Sequence, residues 1–127
     1  MNGTNVVFDT CAVIKLLNQQ YDLTALGIDI ETSRFLTSVI VRMELLSKRG
    51  LSIDEERSIE EFLNDVVVAP LDDIIEQKAV KIRRTTSLKL PDSIVAATSI
   101  VLDAILLTDD EQLLDLSWQG FRAQSIF

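Results

Sequence analysis

The 127-residue sequence contains no histidine and a single cysteine, Cys11. The first absence removes Ser-His-Asp and Cys-His nucleophilic catalysis, together with any imidazole acid–base pair. The second excludes an intrachain disulfide framework and every multi-cysteine zinc site. A lone thiol fits a reducing compartment. The four glycines, Gly3, Gly27, Gly50 and Gly120, lie too far apart for a glycine-rich phosphate loop. No uncharged apolar run approaches the roughly 20 residues of a membrane span. The opening MNGTNVVFDT lacks the positive start and apolar stretch of a signal peptide, so a soluble, cytoplasmic chain is expected. Positive charge is also scarce, with 12 Lys and Arg against 20 acids and a net charge of −8. The overall basic balance of a nucleic-acid binder is missing. Chemistry in this chain therefore falls to carboxylates.

Apolar residues make up 47% of the sequence, enough for a sizeable core, and the length suits one domain over residues 1–127. Charge is unevenly spread. Nine acids and one base, Arg57, lie between Asp54 and Glu76, whereas Lys78 to Lys89 holds five bases and no acid. The acidic run reads as a solvated helix face. The basic run reads either as a second solvated face or as a phosphate-binding patch.

Apolar spacing predicts strands at Asn5–Phe8, Arg34–Ser38, Val66–Ala69, Ala104–Thr108 and Phe121–Ile126. Helices are predicted over Thr10–Asn18, Val39 to about Lys48, Leu71 to about Thr85, Leu90 to about Leu102 and Glu111–Leu116. Gly50 stands where a helix-ending glycine is expected. Ser52 and Glu55 form a capping box for a further helix to about Asn64. Leu71, Ile74, Ile75, Ala79 and Ile82 form one apolar stripe. Between Gln19 and Ser33 the chain is polar, with a short helical piece near Leu23 to Leu26. Strands alternate with helices, and Val66-Val67-Val68 and Ile105-Leu106-Leu107 are apolar on both faces. That pattern predicts a three-layer α/β/α sandwich with a mostly parallel, roughly five-stranded sheet.

In such a sheet ligands bind beyond the carboxyl ends of the strands. Asp9 directly follows the first strand, and Asp109 and Asp110 directly follow the fourth. Glu44 rides on the helix leaving the second strand, and Asp92 lies in the first turn of a later helix. Plainer readings exist for several. Asp9 and one of Asp109 or Asp110 fit helix caps, and Asp92 fits the helix dipole. Glu44 is less easily explained, its plain alternative being a carboxylate whose head escapes to solvent or pairs across the fold. At about 100° per residue it falls between Ile40 and Val41 on the helical wheel, which predicts a desolvated carboxylate in need of a cation. Acids converging without sulfur or imidazole suit a hard divalent ion, Mg²⁺ or Mn²⁺, which can activate water and stabilise a phosphodiester under attack. The basic run ends three residues before Asp92, in position to guide phosphates there.

The segments FDTCAVIKLL, VIVRMELLS, LPDSIVAATSI and LLTDDEQLL together resemble the PIN-domain nucleases, and among them the VapC-type toxins of toxin–antitoxin pairs. They occur in order over nearly the whole chain. The resemblance implies metal-binding, catalytic roles for Asp9, Glu44, Asp92 and Asp110, with Asp109 the lesser candidate for the fourth position. Thr10 and Thr108 match positions where the family often carries a small hydroxyl. The resemblance also implies Mg²⁺- or Mn²⁺-dependent endonuclease action on RNA, homodimerisation, and inhibition by a small antitoxin protein. This chain is more acidic than many of the family, so its grip on RNA would fall to Lys81, Arg84 and Lys89.

A second class also fits, a catalytically silent PIN-like module acting through a protein partner; saturable Mn²⁺ binding separates the two. A phosphatase would want a second acid two residues after Asp9, where Cys11 stands. A receiver-like domain would want an acid pair there.

Overall fold

The computed structural model describes residues 4–127. Five strands, β1 (Asn5–Phe8), β2 (Arg34–Ser38), β3 (Val67–Ala69), β4 (Ala104–Thr108) and β5 (Arg122–Ser125), form one sheet in the order β3-β2-β1-β4-β5. Every neighbouring pair is parallel. Between them run α1 (Thr10–Leu17), α2 (Val39–Leu46), α3 (Ile53–Asp65), α4 (Asp73–Thr85), α5 (Leu90–Val101) and α6 (Glu111–Leu114). A single 3-10 turn at Thr24–Leu26 lies in the polar stretch after α1 and ends at Gly27, whose φ of 82° is easiest for glycine.

The centre of the sheet is β1. Val6, Val7 and Phe8 are consecutive, so their side chains point to alternate faces, yet each is at most 1% exposed. Both faces are therefore covered here and along β4, as the run Ile105-Leu106-Leu107 predicts. Val67 of the edge strand β3 is exposed, so the run Val66-Val67-Val68 is not covered on both faces. Phe8 packs edge-on against Phe62 of α3 and tilts against Phe35 of β2, placing these rings in the core. The most enclosed helix is α5. Ser93 to Ser99 are all buried, and the small residues Ala96 and Ala97 let the helix lie close to its neighbours. Its hydroxyls cost little to bury because Ser93, Thr98 and Ser99 each donate to a carbonyl of the same helix.

Several boundaries differ from the sequence expectation. The helix α2 ends at Leu46 rather than near Lys48. The Ser47 N–H bonds the Met43 carbonyl, and Gly50, at φ 77°, belongs to the following turn rather than to the helix cap. The start of α4 is set by Asp72, whose carboxylate accepts the Ile75 N–H at 2.9 Å. Leu71 is thereby left outside the helix, and both Leu71 and Ile74 are exposed, so the buried stripe narrows to Ile75, Ala79 and Ile82. Val66 ends α3 instead of opening β3. Among the described residues no helix is long and apolar enough to cross a membrane.

The chain steps from β1 through β2 to β3 on one side, then returns across β1 to place β4 and β5 on the other. The direction of winding thus reverses between β1 and β4, and the crevice at their carboxyl ends is the favoured ligand position. Leu106, fully buried on β4, tests the core. Leu106→Ala should cost about 2–5 kcal/mol in urea unfolding; a loss well below that range would mean that β4 is not central.

Candidate functional site

Asp9 leaves β1 while still in register with β4, its N–H bonding the Leu107 carbonyl at 3.1 Å. It caps α1 in form, because Oδ1 accepts the Thr10 N–H at 2.8 Å. Its second oxygen does something else. Oδ2 accepts the Thr108 hydroxyl at 2.8 Å, and the Cys11 thiol lies 3.6 Å away. Asp9 is only 7% exposed. Burial raises its pKa, the negative Glu44 adds to that, and the Thr108, Thr10 and Cys11 donors oppose it. The Thr108 hydroxyl works twice, accepting the Asp110 N–H at 3.0 Å while donating to Asp9. One side chain at the end of β4 therefore sets both the first acid and the loop that carries the last.

Glu44 is exposed, contrary to the helical-wheel expectation of a desolvated carboxylate. The reason is tertiary. Only Val41 and Leu45 of α2 are buried, and the neighbouring Met43 and Leu46 are also open to solvent. The apolar neighbours on the wheel thus do not enclose it. Its partner is Thr10, whose hydroxyl donates to Oε1 at 2.8 Å and ties α2 to the start of α1. Each of the two sequence-selected threonines, Thr10 and Thr108, thus bonds an acid.

Asp92 lies in the first turn of α5, partly buried, with its pKa pushed up to about 6. Burial is the first cause; the negative charges of Asp9, Asp110 and Glu44 follow, and Lys89 opposes them. Acids from four separate elements thus act on one another. Among the described residues no three acids stand at the spacing a shared metal ion needs, so the group is joined by its charge and not by a preformed cage.

The two acids after β4 part company. Asp109 forms an ion pair with Lys15 of α1, and the Cys11 thiol and this ammonium hold its carboxyl below the usual range. Asp110 takes no such partner among the described residues; it caps α6 through the Gln112 N–H at 2.8 Å and adds to the charge felt by Asp92. Lys15 and Cys11 were not singled out from the sequence as site residues. Their signal was present: they are four apart on α1, hence on one face, and Cys11 is two residues from Asp9. The Cys11 thiol is pushed up to about 12, chiefly by burial, so it acts here as a donor and not as a nucleophile. Of the basic residues, Lys89 sits at the start of α5 close enough to ease Asp92, whereas Lys81 and Arg84 are exposed along α4. Among the described residues, neither of the latter two bonds an acid of the site through its side chain.

A groove of about 640 Å³ opens beside Thr10 and Glu44, floored by Ile14, Leu17, Leu45 and Ile59 of α1, α2 and α3. Of the acid group, Glu44 alone lines this groove. The coupling is measurable: in protein kept free of divalent ions, the Asp92 carboxyl should titrate near pH 6 by ¹³C NMR. Asp9→Asn removes a facing negative charge and should move that midpoint down, toward the ordinary aspartate value near 4. An unshifted midpoint would show that the two acids do not face each other.

The PIN domain family matches the chain over residues 6–119. No curated protein matches the sequence. Among solved structures, DNA-bound VapBC from Salmonella typhimurium is similar with a TM-score of 0.78 and 19% identity, over 98% of this chain and 99% of that one. VapBC2 from Rickettsia felis, bound to a promoter DNA fragment, gives a TM-score of 0.76 at 12% identity over 95% and 98%. A toxin–antitoxin complex from Klebsiella pneumoniae gives 0.74 at 20% identity over 96% and 98%. These likenesses concern the fold. The family match runs from β1 beyond α6 and takes in every acid gathered at the sheet edge, and the chain belongs to the PIN domain family.

Proposed function

We propose that this chain is a metal-dependent endoribonuclease and the toxin of a toxin–antitoxin pair, acting in the cytoplasm. The observation that supports the reading most is the charge facing Asp92: three acids from three other elements against a single lysine. A protein gains nothing in stability from such an arrangement, and a cation relieves it. PIN domain membership supports nuclease chemistry, and the solved structures of similar fold are toxin–antitoxin complexes.

The donor set fits Mg²⁺ or Mn²⁺, since it is made of hard carboxylate oxygens. Asp9, Glu44, Asp92 and Asp110 would hold the ion. Bringing them together asks for side-chain rotation, and Glu44, exposed and with three torsions, has the room. When bound, such an ion supplies Lewis acidity toward water and phosphate oxygens. The remaining work belongs to the chain. Thr108 fixes the orientation of Asp9, and Thr10 that of Glu44. Lys89 offers a positive charge beside the acids, where charge develops on a phosphate under attack. Lys81 and Arg84 extend that charge along α4 and would hold the RNA backbone, which a chain of net charge −8 otherwise repels. A small antitoxin would restrain the activity, and the apolar groove beside Glu44 suits an amphipathic segment of such a partner.

The spacing of the acids is the one observation that favours a silent binding module instead. Cleavage decides between them. Asp9→Asn and Glu44→Gln should each abolish Mg²⁺- or Mn²⁺-dependent RNA cleavage, a loss of about 100-fold or more, while the circular dichroism spectrum is unchanged. EDTA should do the same to the unmodified chain. Cleavage that survives EDTA or either substitution sinks the assignment. Sedimentation should give twice the 14.2 kDa chain mass if the protein forms a homodimer; a monomer at micromolar concentration would remove that part of the proposal.

A further inference from the structure

Two adjacent acids follow β4, and they are treated differently. The Asp109 carboxylate is engaged by the Lys15 ammonium, which reaches across from α1. Lys15 is itself fixed, its Nζ 4.9 Å from the centre of the Phe127 ring beyond β5. The side chains of the pair are 30% and 23% exposed, so solvent and salt screen them less than a surface ion pair. One turn earlier on the same helix face, Cys11 stands against Asp9 and Thr108. The same stripe of α1 thus touches Asp9, Thr108 and Asp109, while Asp110 points its carboxylate to the start of α6.

We propose that Lys15 is a positioning residue that holds Asp109 out of the metal donor set and leaves Asp110 as the fourth acid. The inference rests on the metal-dependent reading above. Its physical content is a matter of charge. With Lys15 in place, Asp109 is neutralised and its oxygen is occupied by a donor. Without Lys15, a fifth uncompensated carboxylate is released at the edge of the site. A divalent cation then binds more tightly, and a phosphate backbone is repelled more strongly. Lys15 therefore trades metal affinity for substrate affinity.

Mn²⁺ binding to the full chain, measured by calorimetry or by electron paramagnetic resonance, tests this without reference to catalysis. Lys15→Met keeps the length and apolar stem of the side chain and, at a partly exposed position, does not open the core. It should tighten Mn²⁺ binding by about tenfold, the effect of one unscreened charge near the site. In cleavage assays the same variant should raise KM more than it lowers kcat. Lys15→Arg, which keeps the cation, should restore wild-type Mn²⁺ affinity. Adding Asp109→Asn to Lys15→Met should cancel the gain, because the freed carboxylate is its source. Asp109→Asn alone leaves the Lys15 ammonium unpaired and should weaken Mn²⁺ binding by about the same tenfold, still less than the loss of a donor in Asp110→Asn.

An unchanged or weakened Mn²⁺ affinity in Lys15→Met overturns the proposal. So does a gain that persists in the double variant, or an Asp109→Asn loss equal to that of Asp110→Asn. An unmodified chain that binds no Mn²⁺ at all fails differently: it removes the metal reading first, and the role of Lys15 with it.

Discussion

Like charges held at close quarters are the constraint around which this molecule is arranged. Asp9, Glu44, Asp92 and Asp110 come from four different elements, and burial and like charge raise the pKa of two of them, Asp9 and Asp92. What keeps them together is the sheet. The parallel pairing of β1 with β4 is buried on both faces and is far too costly to break for the relief of a few charges. The charges are consequently held together at the sheet edge, where burial first and the neighbouring acids second push the Asp92 carboxyl up to about 6. A shift of this kind marks functional sites more often than structural ones.

The surroundings temper the repulsion without removing it. Neutral donors meet the acids individually: the Thr108 hydroxyl and the Thr10 amide on Asp9, the Thr10 hydroxyl on Glu44. Full positive charges are kept at the margin. Lys89 eases Asp92 from one side, and Lys15 is spent on Asp109. A cation placed centrally would cancel the field that, under the proposed reading, attracts a divalent ion. Hydroxyls orient the carboxylates while leaving their charge intact, which suits the metal-dependent reading proposed above in a chain without histidine.

The position of Glu44 links the site to the groove. Its helix buries only Val41 and Leu45, so the side chain stands at the rim between the acid group and the apolar channel floored by Ile14, Leu17 and Ile59. A ligand lying in the groove meets Glu44, the member of the acid group that lines it. Under the proposed reading, substrate and inhibitory partner thus compete for neighbouring ground.

Much of this was legible in the linear chain. The strands Asn5–Phe8 and Ala104–Thr108 are short, largely apolar runs buried in a covered parallel sheet, and Asp9, Asp109 and Asp110 are placed by the ends of these strands. The Ser52–Glu55 capping box is equally local, and it is present in both directions. Local pattern failed where the outcome depended on what packs above a helix. The wheel put Glu44 among apolar side chains, but a wheel records angles and not coverage, and that part of α2 is exposed among the described residues. The stripe assigned to Leu71 and Ile74 failed similarly, once Asp72 capped α4 and moved its start.

The distinction between Asp109 and Asp110 lay wholly outside the reach of sequence, because two adjacent acids are locally equivalent. It is decided by Lys15, 94 residues away along the chain, arriving on a helix that only the β1–β4 pairing brings alongside. Residue order thus determined which groups could do chemistry and at which strand ends they would emerge, since hydrophobic periodicity and strand termini are short-range properties. Tertiary structure alone decided which of those groups are neutralised and which are left bare, since electrostatic partnership depends on distance in space.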